Sequence, residues 1–221
     1  MKDVISIAEN RDCMEAMAEF PDKFFDLAIV DPPYGINAPN QSATPAQRKK
    51  GAKRLNEGGG KLKNRTLNKS KIDWDNSTPD NKYFKELFRV SKNQVIWGAN
   101  YFEMPPTRGI ICWDKVQPWE NFSQIEYAWT SFDFPAKLFR FDNRTGDKIH
   151  PTQKPVKLYK WLLMNYAKEG YKILDTHLGS GSSRIAAYDM GFDFWGYEID
   201  ADYFRDQEKR FRQHTSQLTL I

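Results

Sequence analysis

An aspartate, two prolines and a tyrosine end an apolar run, and this junction constrains the fold more than any other feature of the chain. Leu27-Ala28-Ile29-Val30 leads directly into Asp31-Pro32-Pro33-Tyr34. Because proline has no N–H to continue a strand ladder, the pattern predicts a buried strand that stops at Asp31. An ordinary strand-to-turn exit is the alternative, since aspartate is favoured in turns and proline fixes φ. The tetrapeptide alone leaves both interpretations open.

The chemical groups at this strand end favour a binding site. Ligands bind beyond the carboxyl ends of the strands in open α/β sheets. The Asp31 carboxylate and a proline carbonyl can accept hydrogen bonds from an exocyclic amino group, and Tyr34 offers a ring face for stacking. Together these groups are suited to binding a flat ring that carries an amino group.

Alternating strand and helix patterns predict an α/β fold in which helices connect parallel strands. Asp12 is placed to cap the first helix, and the pattern at 125–129 indicates an antiparallel strand at the edge of the sheet. The predicted strands are 4–7, 24–30, 94–98, 109–113, 125–129, 173–175 and 194–198, and the predicted helices begin at Asp12, span 81–92 and 156–168, and follow the turn near 182.

Length and composition are those of one intracellular domain. The 221 residues are 40% hydrophobic, which is enough for one good core, so we expect a single domain over 1–221. Cys13 and Cys112 are the only cysteines, which indicates no disulfide framework and favours a reducing cytosol. The first residues lack a signal-peptide pattern, and no apolar run is long enough to cross a bilayer. We therefore expect a cytoplasmic protein with no membrane partner.

Residues 37–73 differ in composition from the rest of the chain. They contain ten basic and two acidic residues, a net charge of +8, although the whole chain carries only +4. Few apolar residues and three consecutive glycines predict a flexible insertion loop, which we expect to contact DNA phosphates. A merely solvated insertion is the alternative. The basic residues expected to contact DNA in this loop are Arg48, Lys49, Lys50, Lys53, Arg54, Lys61, Lys63 and Arg65.

A second, shorter stretch mixes aromatic with basic side chains. Residues 132–149 include Lys137 and Arg140, and this composition is typical of a small nucleic-acid contact surface. We expect a minor target-recognition segment here. An ordinary connecting loop fits the composition nearly as well.

A glycine-rich turn near the end of the chain predicts a nucleotide-like cofactor. Ile173-Leu174-Asp175 ends a strand, and Gly179-Ser180-Gly181-Ser182-Ser183 opens a helix. Glycines let the backbone approach a ligand, and the helix N-terminus directs its N–H groups at it. The next strand ends at Glu198, where a carboxylate would bind ribose hydroxyls. Because position 184 is arginine, a dinucleotide is less favoured than a smaller nucleoside-type cofactor.

His150-Pro151-Thr152-Gln153-Lys154-Pro155 precedes one of the predicted helices. Pro155 is predicted as the first helical residue, and Thr152 and Lys154 are placed where a loop could hold a small anionic group. A metal site at His150 is rejected, because the chain has three histidines and none stands at ligand spacing from it.

These motifs resemble those of amino-group DNA methyltransferases that use S-adenosylmethionine. Asp31-Pro32-Pro33-Tyr34 matches the catalytic motif of that family, residues 175–182 its cofactor loop, and residues 150–155 the segment before this loop. With the catalytic motif first, the order is that of the circularly permuted β group. The resemblance implies a Rossmann-like methyltransferase fold, with a mostly parallel sheet and helices on both faces. It also implies double-stranded DNA as substrate and a homodimer as the oligomeric state.

The resemblance implies a role for each matching residue. Catalysis would fall to Asp31, Pro32, Pro33 and Tyr34, with Asp31 also close to the cofactor. The residues implied in cofactor binding are Asp12 and Cys13 by the adenine, Glu198 at the ribose hydroxyls, Gly179, Ser180, Gly181, Ser182 and Ser183 along the methionine and ribose, and Asp175, Thr152 and Lys154 nearby. The chain departs from the pattern at Thr176 and His177, where the family usually has proline and phenylalanine.

The implied reaction is methylation of adenine N6 in DNA after base flipping. Adenine is favoured because the motif begins with aspartate, whereas cytosine-N4 enzymes more often begin it with serine. Cytosine N4 is the first alternative, and methylation of a protein glutamine, whose motif usually begins with asparagine, is another. A catalytically silent DNA-binding module is the last alternative. The sequence leaves open the recognition site and whether a cognate restriction enzyme exists.

Overall fold

A computed structural model of the protein describes residues 4–38, 70, 73–117, 123–142 and 148–218. Within these ranges the chain forms eight strands and five α-helices. The strands are β1 (Ser6–Asn10), β2 (Phe25–Val30), β3 (Ser91–Trp97), β4 (Ile110–Asp114), β5 (Ile125–Thr130), β6 (Lys137–Arg140), β7 (Lys172–Asp175) and β8 (Asp193–Glu198). The helices are α1 (Cys13–Met17), α2 (Asn81–Val90), α3 (Val156–Tyr166), α4 (Ser182–Asp189) and α5 (Ala201–Leu218).

The described strands form one sheet in the order β1-β8-β7-β2-β3-β5-β4-β6. Strand β5 pairs antiparallel with β3 and with β4, and the other pairings are parallel. From β2 the chain continues to β3 on one side, and β7 later pairs on the other side, so the strand order reverses beside β2. Ligands bind at such a switch point, beyond the carboxyl ends of the strands.

Helices cover both faces of the sheet, and the strand alternation decides which residues face them. Successive strand side chains point to opposite faces. Leu27 and Ile29 of β2 therefore pack with α3 and α4, whereas Ala28 and Val30 pack with α1 and α2. Burial on both faces is what a central parallel strand requires. The rigid core thus fixes the position at which β2 ends and Asp31 begins.

The α/β architecture confirms the predicted fold class, but the antiparallel strand lies elsewhere. Strand β5 lies between β3 and β4 and not at the edge, which β6 occupies by pairing with β4. Strand β6 falls inside the 132–149 segment and has only four residues, which is too short for a clear alternation. Pro155 was expected inside helix α3 but is its N-cap residue, with an extended ψ of 145°.

Helix α5 was not predicted, because its sequence is dominated by charged and polar side chains. Its N-cap is Asp200, whose Oδ1 accepts the N–H groups of Asp202 at 2.8 Å and Tyr203 at 3.0 Å. The helix packs on α4, β1 and β8. Of the helices in the described ranges, none combines the length and the apolar character that crossing a lipid bilayer requires.

Candidate active site

The carboxyl ends of β2, β7 and β8 gather the acids and glycines that the sequence singled out. Strands β2 and β7 are parallel neighbours, with Leu27 opposite Ile173 and Ala28 opposite Leu174. Asp31, after β2, and Asp175, the last residue of β7, therefore lie at the same edge of the sheet. Glu198 ends the next strand, β8, which pairs parallel with β7.

The Asp31 carboxylate has a donor on each oxygen. The Tyr34 hydroxyl donates to Oδ1 at 2.5 Å, and the Lys154 ammonium donates to Oδ2. Burial raises the pKa of Asp31 above its usual range, Glu126 adds to that rise, and Lys154 opposes it. Each carboxylate oxygen can accept a second hydrogen bond, so both can also receive an amino hydrogen.

The Tyr34 ring is held in place by packing. It stacks on Tyr101 with ring centroids 4.9 Å apart and an interplanar angle of 13°, and the Phe102 ring meets it at 66°. Gly98 has φ of +75°, and a Cβ there would lie 2.1 Å from Tyr34 Cε1. Only glycine therefore fits beneath the ring. Through its stacking, Tyr101 covers one face of the Tyr34 ring.

Asp75 anchors the backbone that follows the prolines. Its Oδ1 accepts the N–H groups of Tyr34 at 2.7 Å and Gly35 at 2.9 Å, and its Oδ2 accepts that of Ala38 at 2.8 Å. The Asn37 N–H donates to the Asp75 carbonyl oxygen at 2.9 Å. The Asp75 side chain is buried, and its hydrogen bonds hold the segment after the prolines, about forty positions earlier in the sequence. Sequence reasoning missed it, because a single aspartate in a polar stretch carries no local pattern.

Lys154 lies in the same cluster as Asp31, Tyr34 and Glu126. Its Nζ is 3.0 Å from Glu126 Oε2 and 3.4 Å from the Tyr34 hydroxyl, in addition to its bond to Asp31. The residue is 4% exposed, and its ammonium faces the Trp97 ring at 5.3 Å. The sequence predicted Lys154 near the cofactor, and in the structure its ammonium lies among the oxygen atoms of Asp31, Tyr34 and Glu126.

The glycine-rich turn adopts the backbone that glycine favours. Gly179 has φ of +50° and Gly181 has φ of +70°, a region where L side chains are strained. Gly181 is the N-cap of α4. Arg210 of α5 supports this turn, since its Nη1 donates to the Ser180 carbonyl at 2.7 Å and to Ser182 Oγ at 2.9 Å. Ser180, Ser182 and Ser183 are buried in the same turn.

Two strand-end carboxylates flank this turn. Glu198 Oε2 accepts the Gly179 N–H at 2.8 Å, and its Oε1 accepts the Asp200 N–H at 2.9 Å. Asp175 Oδ2 accepts from Ser183 Oγ at 2.5 Å. Burial raises the pKa of both carboxyls to about 7, and their hydrogen bonds oppose the rise. The Glu198 oxygens retain acceptor capacity, so the carboxylate suits a ligand with hydroxyl donors.

Asp12, Cys13 and Thr152 lie in the loops around these strand ends. Asp12 is the N-cap of α1, and its Oδ1 accepts the Met14 N–H at 2.7 Å. Cys13 packs against the core, and burial raises the pKa of its thiol to about 12. The Thr152 hydroxyl is 3.2 Å from His150 Nδ1. The His150 ring packs edge-on against Tyr203, with the ring centroids 4.2 Å apart.

Hydrogen bonds connect Thr176 to the neighbouring His177 and to Tyr83 of helix α2. The Thr176 hydroxyl is 2.7 Å from the Tyr83 hydroxyl and 2.9 Å from His177 Nδ1. The His177 ring meets the Tyr83 ring edge-on, with centroids 5.4 Å apart. Burial lowers the pKa of His177 to about 4. The neutral imidazole therefore fills an aromatic position beside the cofactor loop.

The residues expected to contact DNA divide into two sets. Arg48, Lys49, Lys50, Lys53, Arg54, Lys61, Lys63 and Arg65 lie outside the described residues. Lys137 donates to Asn165 Oδ1 at 3.0 Å and lies 5.4 Å from the centre of the Tyr166 ring. Arg140 is 3.2 Å from Asp114 Oδ2, and its side chain is 71% exposed. Arg140 therefore presents most of its side chain to solvent.

The fold and the site define a Rossmann-like domain in which the Asp31 motif and the glycine turn lie at neighbouring strand ends. A family model described as DNA methylase, of the N6 and N4 type, matches residues 46–209. The chain therefore belongs to this DNA methylase family. The matched range includes the glycine turn and begins after the Asp31 motif.

Relatives point to the same class. Type II methyltransferase M2.DpnII of Streptococcus pneumoniae is 25% identical over 63% of this chain and 49% of its own length. Type II methyltransferase M2.LlaDCHI of Lactococcus lactis subsp. cremoris is 23% identical over 64% of this chain and 50% of its own length. The chain thus spans about half the length of these relatives.

The solved structures show the fold. The M1.HpyAVI–SAM complex is 16% identical, with a TM-score of 0.58 over 92% of this chain and 98% of that one. The PvuII DNA methyltransferase, named as cytosine-N4-specific, is 15% identical, with a TM-score of 0.60 over 96% of this chain and 92% of that one. The predicted methyltransferase fold is confirmed by these likenesses.

Proposed function

We propose that this protein transfers the methyl group of S-adenosylmethionine to the N6 amino group of adenine in DNA. The observation that carries the proposal is the adjacency of the two motifs. Asp31 follows β2, and the glycine turn follows the neighbouring parallel strand β7. Membership of the DNA methylase family supports the same reaction, and two proteins of similar fold, M1.HpyAVI and TTHA0409 of Thermus thermophilus, were crystallised with S-adenosylmethionine.

The residues of the second motif fit this cofactor. Because Gly179 and Gly181 have no side chains, a ligand can approach the backbone of residues 179–183 closely. The Glu198 carboxylate can accept hydrogen bonds from the two ribose hydroxyls. Asp12 and Cys13 begin helix α1 after β1, which pairs with β8, so they lie on the side expected for the adenine. When bound, the cofactor supplies an electrophilic methyl group on sulfonium sulfur.

The protein's part in the reaction is to orient the amino group of the base toward the methyl group. The adenine amino lone pair is delocalised into the ring, which makes it a weak nucleophile. Asp31 and the Pro32 carbonyl accept the two amino hydrogens and favour a pyramidal nitrogen whose lone pair is aligned for in-line attack. The nitrogen would take the methyl group as the carbon–sulfur bond of the bound sulfonium breaks, with that bond's electron pair left on sulfur. The proton released by the nitrogen would pass to the Asp31 carboxylate, which already accepts it in a hydrogen bond. The flipped base stacks on Tyr34, which offsets part of its unstacking energy.

Cytosine N4 is the second candidate, because both amino groups suit the same acceptors. The aspartate that begins the motif favours adenine, whereas the name of the structurally similar PvuII enzyme specifies cytosine N4. The basic residues between 37 and 73, together with Arg140, are proposed to bind DNA phosphates. The relatives are named Type II methyltransferases, so a place in a restriction–modification system is part of the proposal.

The test is methylation of unmodified duplex DNA, followed by mass spectrometry of the nucleosides. N6-methyladenine is the expected product, and sequencing of the modified DNA then gives the recognition site. N4-methylcytosine would overturn the choice of base and keep the mechanism. Cofactor binding without methylation of either base would contradict the proposed reaction.

A further inference from the structure

We propose that Glu126 is a positioning residue of the catalytic centre, which orients the Asp31 carboxylate through the buried ammonium of Lys154. The inference rests on the proposed function, because it assigns Asp31 the task of accepting the amino hydrogens of the base. Glu126 itself does not touch the base in this account. It acts through Lys154.

The ammonium of Lys154 is enclosed by three acceptors. Its Nζ donates to Asp31 Oδ2, lies 3.0 Å from Glu126 Oε2 and lies 3.4 Å from the Tyr34 hydroxyl. An ammonium has three N–H donors. Two of them have hydrogen-bond acceptors, Asp31 Oδ2 and the Tyr34 hydroxyl, and the Glu126 carboxylate forms an ion pair with the same nitrogen. The side chain is only 2% exposed, which leaves solvent little access to the charge. Lys154 is therefore fixed at one place against Asp31.

The antiparallel direction of β5 explains why Glu126 reaches this edge of the sheet. Strands β2 and β3 end here, whereas β5 begins here. Trp97, the last residue of β3, lies opposite Ala128, so Glu126 is two residues further toward the carboxyl ends of the parallel strands. If β5 ran parallel to β3, its last residues and not its first would lie at this edge of the sheet. The reversal brings a strand-borne carboxylate, and not a loop residue, to the catalytic cluster.

A second lysine holds Glu126 from the other side. The ammonium of Lys115, which follows β4, pairs with Glu126 Oε1. Lys115, Glu126, Lys154 and Asp31 thus form a chain of alternating charge with no net charge. Burial opposes ionisation of Glu126, but the two lysines hold its pKa below the usual range. The two carboxylates in turn hold the pKa of Lys154 above its usual range, against the effect of burial.

Removal of Lys154 alone would leave two half-buried carboxylates near each other. Like charges in a buried site raise each other's pKa, and the pair then titrates as a unit. Asp31 would hold a proton at neutral pH and lose acceptor capacity. Lys115 is the further charged group that acts on Glu126. The charges of Asp31, Glu126 and Lys154 in turn act on the neighbouring ionisable groups Tyr34, Tyr83, His150, Tyr159 and Asp175.

The experiment is a double-mutant cycle in methyl transfer from S-adenosylmethionine to duplex DNA, measured from about pH 6 to 9. Lys154→Met should lower kcat at neutral pH by about 10²-fold and move the acid limb of the profile upward, with the KM for cofactor little changed. Glu126→Gln should cost less than about tenfold and move that limb downward. The Lys154→Met/Glu126→Gln double variant should regain about tenfold over Lys154→Met, because the second carboxylate charge is gone.

Controls separate this role from general damage. Lys154→Arg keeps the charge and should retain more activity than Lys154→Met. Lys168→Met and Glu103→Gln make the same chemical changes at positions outside the buried cluster and should leave kcat and its pH profile unchanged. The cycle is repeated by thermal unfolding of the ligand-free protein, where Lys154→Met should lower Tm more than the double variant does.

The outcomes distinguish the two proposals. A double variant that is no better than Lys154→Met, with superimposable pH profiles, would overturn the positioning role. Coupling in Tm without coupling in kcat would do the same, because the cluster would then serve the fold alone. Wild-type protein that binds S-adenosylmethionine but methylates no DNA would overturn the proposed function, and with it the positioning role of Glu126.

Discussion

At the scale of single residues, the position of the Tyr34 ring depends on the absence of a side chain at Gly98. Gly98 lies directly beneath Tyr34, whose hydroxyl donates to Asp31. The ring also stacks on Tyr101. A side chain at position 98 would have to displace the ring, and the hydroxyl would move with it. The glycine is therefore a component of the site, although it carries no chemical group.

Gly98→Ala should lower methyl transfer strongly while cofactor binding persists. The new Cβ would lie within 2.6 Å of three ring atoms of Tyr34. Gly191→Ala is the matched control, because Gly191 has a similar φ of +74° and its Cβ would meet no described atom within 4 Å. Each variant should lose about 1–2 kcal/mol of stability from backbone strain. Equal turnover in the two variants, measured with the same DNA, would contradict a role for the Tyr34 position.

His177 gives the ligand-free protein a stability that depends on pH. Its pKa is lowered to about 4 by burial, whereas an unfolded histidine titrates near 6.5. The unfolded state thus binds the additional proton, so this stability is present above about pH 6.5 and is lost as the pH falls toward about 4. The slope is at most about 1.4 kcal/mol per pH unit.

His177→Phe should flatten the dependence of the unfolding free energy on pH between about 4 and 6.5. His177→Gln should flatten it equally, because glutamine does not titrate but can still bond to Thr176. The raised pKa values of Asp175 and Glu198 act in the opposite direction in both variants and cancel in the comparison. Denaturant titrations at several pH values measure the slope, and an unchanged slope in both variants would exclude His177 as its source.

At the scale of elements, strand ends and glycine turns were predictable and the connections between distant segments were not. Strand β2 was predicted to within one residue, because its apolar run and its prolines are local signals. Strand β6 and the place of β5 depend on pairing partners, which no local pattern encodes. No local sequence pattern identifies Asp75 or Glu126, because the partners of each acid are brought near it only by the fold.

The buried Asp75 side chain ties residues 34–38, which follow the two prolines, to the folded core. Asp75→Asn should lower the free energy of unfolding by about 1.5–3 kcal/mol, because the amide nitrogen cannot accept the Ala38 N–H that Oδ2 accepts now. Asp73→Asn, at an exposed position two residues earlier, is the matched control. Activity should fall with stability in Asp75→Asn, since the Tyr34 backbone is held by the same carboxylate. Equal stability of the two variants in urea titrations would refute the anchoring role.

At the scale of the whole molecule, one sheet edge collects groups from five strands. Strands β1, β2, β7 and β8 bring Asp12, Asp31, Asp175 and Glu198 through their carboxyl ends, and β5 brings Glu126 through its start. The parallel core explains why motifs far apart in sequence meet. The reversed strand β5 explains how an additional acid joins them. The proposed cofactor and amine sites lie on the adjacent strands β7 and β2, an arrangement suited to direct transfer between two bound molecules.

The most direct test of this account is the Asp31→Ala variant, measured for cofactor binding and for methyl transfer in the same preparation. Calorimetry should give an S-adenosylmethionine affinity close to that of the wild type, because the glycine turn and Glu198 are unchanged. Transfer of labelled methyl groups to duplex DNA should fall by about 10³-fold or more, since the amine loses its acceptor. Near-normal turnover by Asp31→Ala would contradict the assignment of this strand end as the catalytic centre.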